Sequence, residues 1–249
     1  MKMKFGVADY GMNVWDGGCF DTEDRLRRLK EIGYDGLERL EVVSADEAVW
    51  KAARFRKLGM DFATVRGPSI ETGIQWTAAF RKTYVWVSVS GRDFDTFCRQ
   101  ANLQAEACKR WGIRAALHNH LGSPVESHEQ VESFLERCPE CNLILDTAHL
   151  AAADGDPIEI VRKYPDRMES IHLKDWIVTN PDVGLDNWPA RGRFCELGAG
   201  NIGLDNASLM HALVNVGYDG WILVEHDTHL QDTFKDLAIS RQYLRKAGF

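Results

Sequence analysis

Short apolar runs alternate along this chain with stretches in which apolar residues recur every three or four positions. The runs fall at residues 4–8, 36–42, 61–65, 84–88, 114–118, 142–146, 170–173 and 221–225. Runs of this length, bounded by polar residues, read as strands buried on both faces. Between them the helical spacing predicts helices over 21–31 with Asp21 as N-cap, 45–58, 93–111, 127–137, 157–163, 204–216 and 230–247. Strict alternation predicts a parallel sheet, and eight repeats predict closure into a (β/α)8 TIM barrel, one α/β domain spanning 1–249. The unit at 69–82 has the weakest pattern. Residues 31–38 and 215–222 echo each other, each with a helix ending at glycine before a tight turn into a strand, which shared helix-to-strand turn chemistry explains without recent duplication. The stretch 175–203 shows no helix and contains Asn180-Pro181 and Trp188-Pro189. Loops of that length in a compact domain are usually functional, so it is expected on the catalytic rim, covering the site.

Three of the runs lead straight into a metal-capable side chain: Leu143-Ile144-Leu145-Asp146, Ser170-Ile171-His172 and Ile222-Leu223-Val224-Glu225. Parallel sheets present reactive groups at the carboxyl ends of their strands, so Asp146, His172 and Glu225 converge on one rim. A single buried histidine is commonly a hydrogen-bonded core residue, and strand-end carboxylates also form structural ion pairs. The ordered set argues for more than either. These ligand types, without thiolate, suit Mn²⁺, Mg²⁺, Co²⁺ or Fe²⁺ better than a structural zinc site.

The run His118-Asn119-His120, then Asp146-Thr147-Ala148-His149, Ile171-His172-Leu173-Lys174-Asp175 and Val224-Glu225-His226-Asp227 resembles the xylose isomerase-like barrel superfamily of sugar-phosphate isomerases and epimerases, ketose 3-epimerases, inosose dehydratase and endonuclease-four-type nucleases. Gly33-Tyr34-Asp35-Gly36-Leu37-Glu38 and Phe194-Cys195-Glu196-Leu197-Gly198-Ala199-Gly200 extend the resemblance over nearly the whole chain. It implies one divalent metal, with Mn²⁺ first and Mg²⁺, Co²⁺, Fe²⁺ or Zn²⁺ as substitutes, held by Asp146, His172 and Glu225. The slot for a further carboxylate reads His118, so the fourth ligand is either His118 or Glu126 folding back from the loop. Glu126 is preferred, because it keeps the charge near neutral and leaves His118 and His120 for proton transfer alongside Glu225.

The implied reaction is isomerisation or epimerisation of a sugar, sugar phosphate or cyclitol, by proton abstraction next to a carbonyl through a metal-stabilised enediolate. The alternative is a dehydratase of a keto-sugar or keto-inositol, which the His-Asn-His run with the later Glu126 also resembles. Glu38, Arg66, His149, Lys174 and Arg193 are expected to touch substrate, the arginines by gripping a phosphate or carboxylate.

A net charge of −7 and a pI near 5.6 oppose the basic footprint that nucleic acid requires. No run approaches the roughly 18 apolar residues of a membrane helix. The amino end meets Asp9 too early for a secretory signal, and the expected location is cytoplasmic. The partner expected is a small carbohydrate, with homo-oligomerisation compatible with eight tryptophans. The six cysteines, at 19, 98, 108, 138, 141 and 195, are too scattered for a disulfide scaffold and are expected to be reduced, with the Cys138–Cys141 spacing a coincidence.

Overall fold

Strands buried on both faces need helices outside and packed side chains within. Residues 141–146 and 168–173 are buried at every position, and both belong to one parallel sheet. The computed structural model describes residues 3–15, 17, 21–227 and 231–249. Cys19 and the expected start of the last helix at Leu230 lie outside them.

The chain runs β1 (Lys4–Val7), α1 (Tyr10–Trp15), α2 (Thr22–Ile32), β2 (Gly36–Glu41), α3 (Ala45–Lys57), β3 (Asp61–Arg66), α4 (Ile70–Ala79), β4 (Tyr84–Trp86) and α5 (Phe94–Lys109). It continues through β5 (Arg114–His118), α6 (His128–Arg137), β6 (Cys141–Asp146), α7 (Thr147–Ala152), α8 (Pro157–Lys163) and β7 (Met168–Leu173). The hairpin β8 (Asp175–Val178) and β9 (Gly192–Cys195), with the short α9 (Trp188–Arg191) between them, precedes α10 (Asn206–Asn215), β10 (Trp221–Val224) and α11 (Thr233–Lys246).

Eight parallel strands hydrogen-bond in the order β3-β2-β1-β10-β7-β6-β5-β4, so the sheet curls into a nearly closed (β/α)8 barrel. Each predicted strand forms, within two residues of its expected bounds. The barrel is open to backbone pairing only between β3 and β4. There the Thr64 hydroxyl donates to the Tyr84 carbonyl at 2.6 Å, a side-chain stitch replacing a backbone ladder.

Capping fixes the helices where sequence predicts them. Asp21 accepts the Asp24 N–H at the start of α2. The weak unit at 69–82 becomes α4, because Ser69 and Thr72 form a reciprocal capping box. The echoed turns share one physical cause: Gly33 and Gly217 sit at φ 103° and 77°, a left-handed conformation that glycine adopts without strain. Helices α1 and α7 went unpredicted, being only six residues each and too short for periodicity to register. The stretch 175–203 holds an antiparallel hairpin in place of a bare loop, with Asp175 paired to Cys195 and Val178 to Gly192.

Five of the cysteines are free and buried, with Cys138 and Cys141 sulfhydryls directed to the carbonyls of Cys98 and Ala101. Cys138 follows α6 and Cys141 opens β6, so these contacts pack α5 against both elements. No helix among the described residues is long and apolar enough to cross a membrane.

At the amino-terminal end of the barrel, buried Glu169 accepts from Thr83 Oγ1 (2.7 Å), Asn142 Nδ2 (2.8 Å) and Arg114 Nη2 (2.9 Å), tying β4, β5, β6 and β7 together. Replacing Glu169 by Ala strands the buried Asn142 amide, and unfolding in urea is expected to show a loss of about 2–3 kcal/mol. Metal content should stay unchanged, because this network lies at the opposite end from the strand termini described next. An unaltered midpoint would show that the network does not hold the strands.

Candidate active site

The carboxyl ends of β2, β5, β6, β7 and β10 bring charged side chains into one buried group. Ligand atoms of His118, Asp146, His172 and Glu225 all lie within 4.8 Å of one another. Their placement is local in origin. Asp146 ends β6 and caps α7, its Oδ1 accepting the His149 N–H at 2.9 Å. Asn119 locks the adjacent strand end by accepting the Asp146 N–H at 2.8 Å and donating to the Asp146 carbonyl at 3.1 Å. This leaves Asp146 Oδ2 turned to His118 Nε2 at 3.2 Å.

His172 is held between two carboxylates, with Nδ1 2.6 Å from Glu225 Oε2 and Nε2 2.9 Å from Glu38 Oε1. Burial disfavours its charge, but the flanking Glu38 and Glu225 outweigh that and raise its pKa to about 10. It is therefore an imidazolium in this arrangement. Glu38 is fully buried and also accepts from Trp86 Nε1 at 2.9 Å. Burial would raise its pKa, yet the His172 charge and hydrogen bond bring it below the ordinary carboxylate value.

Lys174 is the centre of the arrangement. At 1 % exposure its Nζ lies 3.1 Å from Asp146 Oδ2, 3.1 Å from Glu225 Oε2 and 3.2 Å from Asp227 Oδ2. Burial opposes its charge, but Asp146, Asp227 and Glu225 together drive its pKa upward. The reciprocal effect holds Asp146 and Glu225 well below the usual carboxylate range, against the pull of burial. The lysine expected at the mouth thus has its ammonium buried among three carboxylates.

His118 behaves oppositely. Burial lowers its pKa to about 4 despite Asp146, so at neutral pH it is an uncharged imidazole with a lone pair to offer. It stacks on Trp86 with ring centres 4.7 Å apart. Nδ1 of His120 bonds the Leu121 carbonyl at 2.7 Å, which makes that nitrogen the donor and leaves the Nε2 lone pair open. His149 is fully buried and packs its ring 3.7 Å from that of His120. Its Nδ1 faces the Leu121 N–H at 3.4 Å and its Nε2 faces Lys174 Nζ at 3.3 Å. A neutral imidazole has one lone pair, so it accepts only one of these at a time.

A cavity of about 580 Å³ opens onto the group, lined by His118, His120, Lys174, Glu225 and Asp227 on the polar side and by Trp86, Trp188 and Phe194 on the apolar side. The hairpin contributes Trp188, Gly192, Arg193 and Phe194, so the long stretch does cover the site. Of the residues expected to touch substrate, Arg66, Lys174 and Arg193 line this cavity. Glu38 and His149 stand behind the wall, fully buried and engaged with other side chains.

Glu126 is not brought to the group. Its carboxylate accepts the Gly122 N–H at 2.6 Å and its own N–H donates to Gln130 Oε1 at 3.0 Å, so it closes the turn that leads into α6. His118, projecting directly from the end of β5, takes the fourth place. Asp227 was overlooked in sequence; its position two residues after Glu225 was the available signal.

The group fits a divalent ion. The imidazoles of His118 and His172 and the carboxylates of Asp146 and Glu225 lie within reach of one cation, which His172 would ligate only on giving up a proton, and this donor set suits Mn²⁺, Fe²⁺, Co²⁺ or Zn²⁺. Glu38 Oε2 is buried without a hydrogen-bond partner, with the Arg39 Nε 4.0 Å away as its opposite charge. Glu38, already on His172 Nε2, is placed to orient that ring as the carboxylate partner of a metal-ligating histidine. The Lys174 ammonium borders both this group and a second one, His120, His149 and Asp227, lying 3.1 Å from Asp146 and Glu225 in the first and 3.2 Å from Asp227 and 3.3 Å from His149 in the second.

Residues 53–247 match the family described as xylose isomerase-like TIM barrel. The inosose dehydratase of Geobacillus kaustophilus is 30 % identical over 129 residues, covering 49 % of this chain and 41 % of the relative. That of Bacillus velezensis is 25 % identical over 235 residues, covering 90 % of this chain and 72 % of the relative. The chain thus spans less than half of the first relative's length and nearly three quarters of the second's. Among solved structures, the "probable 3-DHS dehydratase AsbF" from Bacillus anthracis superposes with a TM-score of 0.76 at 12 % identity, over 98 % of this chain and 99 % of that one. An L-ribulose 3-epimerase superposes with a TM-score of 0.73 at 15 % identity, over 98 % and 94 %. At these identities the superpositions establish the fold alone. On the span of the family match, this chain belongs to the xylose isomerase-like TIM barrels.

Proposed function

We propose that this protein is a metal-dependent dehydratase that removes a proton next to the carbonyl of a keto-polyol and expels the neighbouring β-hydroxyl as water. Sequence alone put isomerisation and epimerisation first. The observation that reverses the order is the distribution of proton carriers around the cavity. Of the histidines lining it, His120 is the one whose open ring nitrogen is left for a proton, since His118 is among the four residues that would hold the ion. The carboxylates that reach the cavity, Glu225 and Asp227, are both tied to Lys174. Epimerisation must return the proton to the opposite face of the carbon and is best served by a second acid on another wall. Elimination on one face needs a single group that takes the α-proton and then gives it to the departing hydroxyl.

His118, Asp146, His172 and Glu225 would hold the ion, which when bound supplies Lewis-acid polarisation of the substrate carbonyl. His120 Nε2 takes the α-proton, the electron pair of the C–H bond becomes the new C=C bond, and the β C–O bond breaks. The same imidazolium delivers its proton to the departing oxygen, so the products are an enone and water and His120 is restored. Lys174 keeps its proton throughout and places a fixed positive charge beside the oxygen that becomes negative. Trp86, Trp188 and Phe194 form the apolar walls that limit water. The curated relatives bearing the name inosose dehydratase support a keto-polyol as the class of substrate.

With a keto-inositol and Mn²⁺, near-ultraviolet absorbance of an enone is expected to grow with time. His120→Asn should lower kcat by about 10²–10⁴ while retaining metal. Formation of an epimer with no new chromophore would sink the dehydratase reading in favour of epimerisation.

Elemental analysis after loading with Mn²⁺ should find one equivalent in the wild type and a clear drop in Asp146→Asn and His118→Ala. Glu126→Gln should bind as the wild type does. If Glu126→Gln loses metal while His118→Ala keeps it, the ligand set proposed here is wrong. No metal in the wild type under any loading removes the reaction itself.

A further inference from the structure

The open seam of the barrel contains a second cavity that continues the first. It measures about 440 Å³ and is lined by the ends of β3 and β4 and the start of α4, including Thr64, Arg66, Ser69, Trp86 and Gln104. Arg39, Arg66 and Trp86 line both cavities, so the two are adjacent, with the imidazoles and Lys174 on one side of these side chains and the seam on the other.

Arg39 is the unexplained group. Its side chain is only 9 % exposed, and its Nε is buried with no hydrogen-bond partner. Glu38 Oε2 stands off at 4.0 Å, beyond hydrogen-bond range, and the guanidinium lies over the Trp86 ring at 4.9 Å from its centre. Asp9, Glu38, Glu41 and Glu225 act on it only through their fields, and together they hold it charged against burial. A buried guanidinium with its fork unspent is costly in the free protein and is well suited to a planar or tetrahedral oxyanion.

Arg66 stands beside it on the rim. It pairs with Glu41 at 3.1 Å, but at 65 % and 43 % exposure this pair is weakly held and readily exchanged for a ligand. The ten-residue α4 begins at the same cavity, with Ser69 as its cap, and its first-turn N–H groups add a partial positive charge. Arg193, exposed on β9 and without an ion-pair partner among the described residues, closes the other side of the mouth.

We infer that the seam between β3 and β4 is an oxyanion subsite, in which Arg39 and Arg66 grip a carboxylate or phosphate carried by the substrate at the end remote from the reacting carbons. The inference rests on the proposed reaction only in placing the reacting end at His120 and Lys174. Binding of an unreactive anionic polyol needs no chemistry and reports on the subsite alone.

The test is calorimetric titration of the Mn²⁺-loaded protein with three polyols that lack a carbonyl and cannot turn over: D-glucitol, D-gluconate and D-glucitol 6-phosphate. At least one of the anions should bind tenfold or more tighter than glucitol, and the tighter of the two identifies the group as carboxylate or phosphate. Arg39→Gln should bring its affinity down to that of glucitol. Arg66→Gln, at an exposed position that does not endanger folding, should reduce the preference several-fold. A preference below tenfold in the wild type overturns the inference, as does a preference that survives in both variants. Neither result bears on whether the enzyme dehydrates, which the enone assay reads separately.

Discussion

The carboxyl-terminal face of this barrel depends on one ammonium group. Lys174 Nζ, on a side chain buried from solvent, meets Asp146, Glu225 and Asp227 at 3.1–3.2 Å. Three carboxylates brought so close would repel strongly at the low effective dielectric of a protein interior. With the lysine among them, Asp146 and Glu225 stay ionised. The other polar contacts build outward from that requirement. Glu225 is left free to hold His172, His172 holds Glu38, and Glu38 holds Trp86. A chain of hydrogen bonds thus runs from the end of β10 to its neighbour β7 and on to β2 and β4, neither of which borders the strand before it in that series.

Such a chain is costly to bury and is weak evidence for stability in itself. Its plausible return is chemical. A buried lysine whose proton is fixed by three carboxylates is a poor acid but a good source of fixed charge, and fixed charge aimed at a developing oxyanion need not reorganise during reaction. The imidazoles divide the remaining work by environment. His172 is charged because it faces two carboxylates, and His118 is neutral because burial outweighs the single carboxylate it faces. The same residue type therefore plays two roles within one site, set by what each ring touches.

Much of this was legible in the sequence. The eight apolar runs gave the strands, and the residues ending them gave Asp146, His172 and Glu225, because in a parallel barrel strand ends are site positions. What sequence could not supply was the reach of side chains that leave the strands. Glu126 and His118 were both open as the fourth member, and charge balance pointed to Glu126. In the structure the Glu126 carboxylate instead accepts the N–H of Gly122, which sits at φ 75°, while His118 lies in the group. Lys174 and Glu38 were expected to touch substrate, because spacing shows which face a residue is on and says nothing of how deep it sits. Helix α7 was invisible because Asp146 both ends β6 and caps the next turn, leaving no loop between them.

Arg39 follows from the same limit and connects the open seam to specificity. Standing next to Glu38 on β2, it gives no periodic or motif signal. It stands out only in the fold, where β3 and β4 fail to pair and a cavity takes the place of a ladder. A closed sheet would have filled that position with backbone hydrogen bonds. Leaving it open sacrifices those bonds and exposes the mouth to a second compartment lined by Arg39, Arg66 and the start of α4. The charged group at the reacting end is net acidic, and the seam offers two guanidinium groups and a helix terminus. An extended substrate with an anion at one end and a carbonyl at the other would meet opposite fields in the two adjacent cavities, and that polarity would fix its orientation before any proton moves.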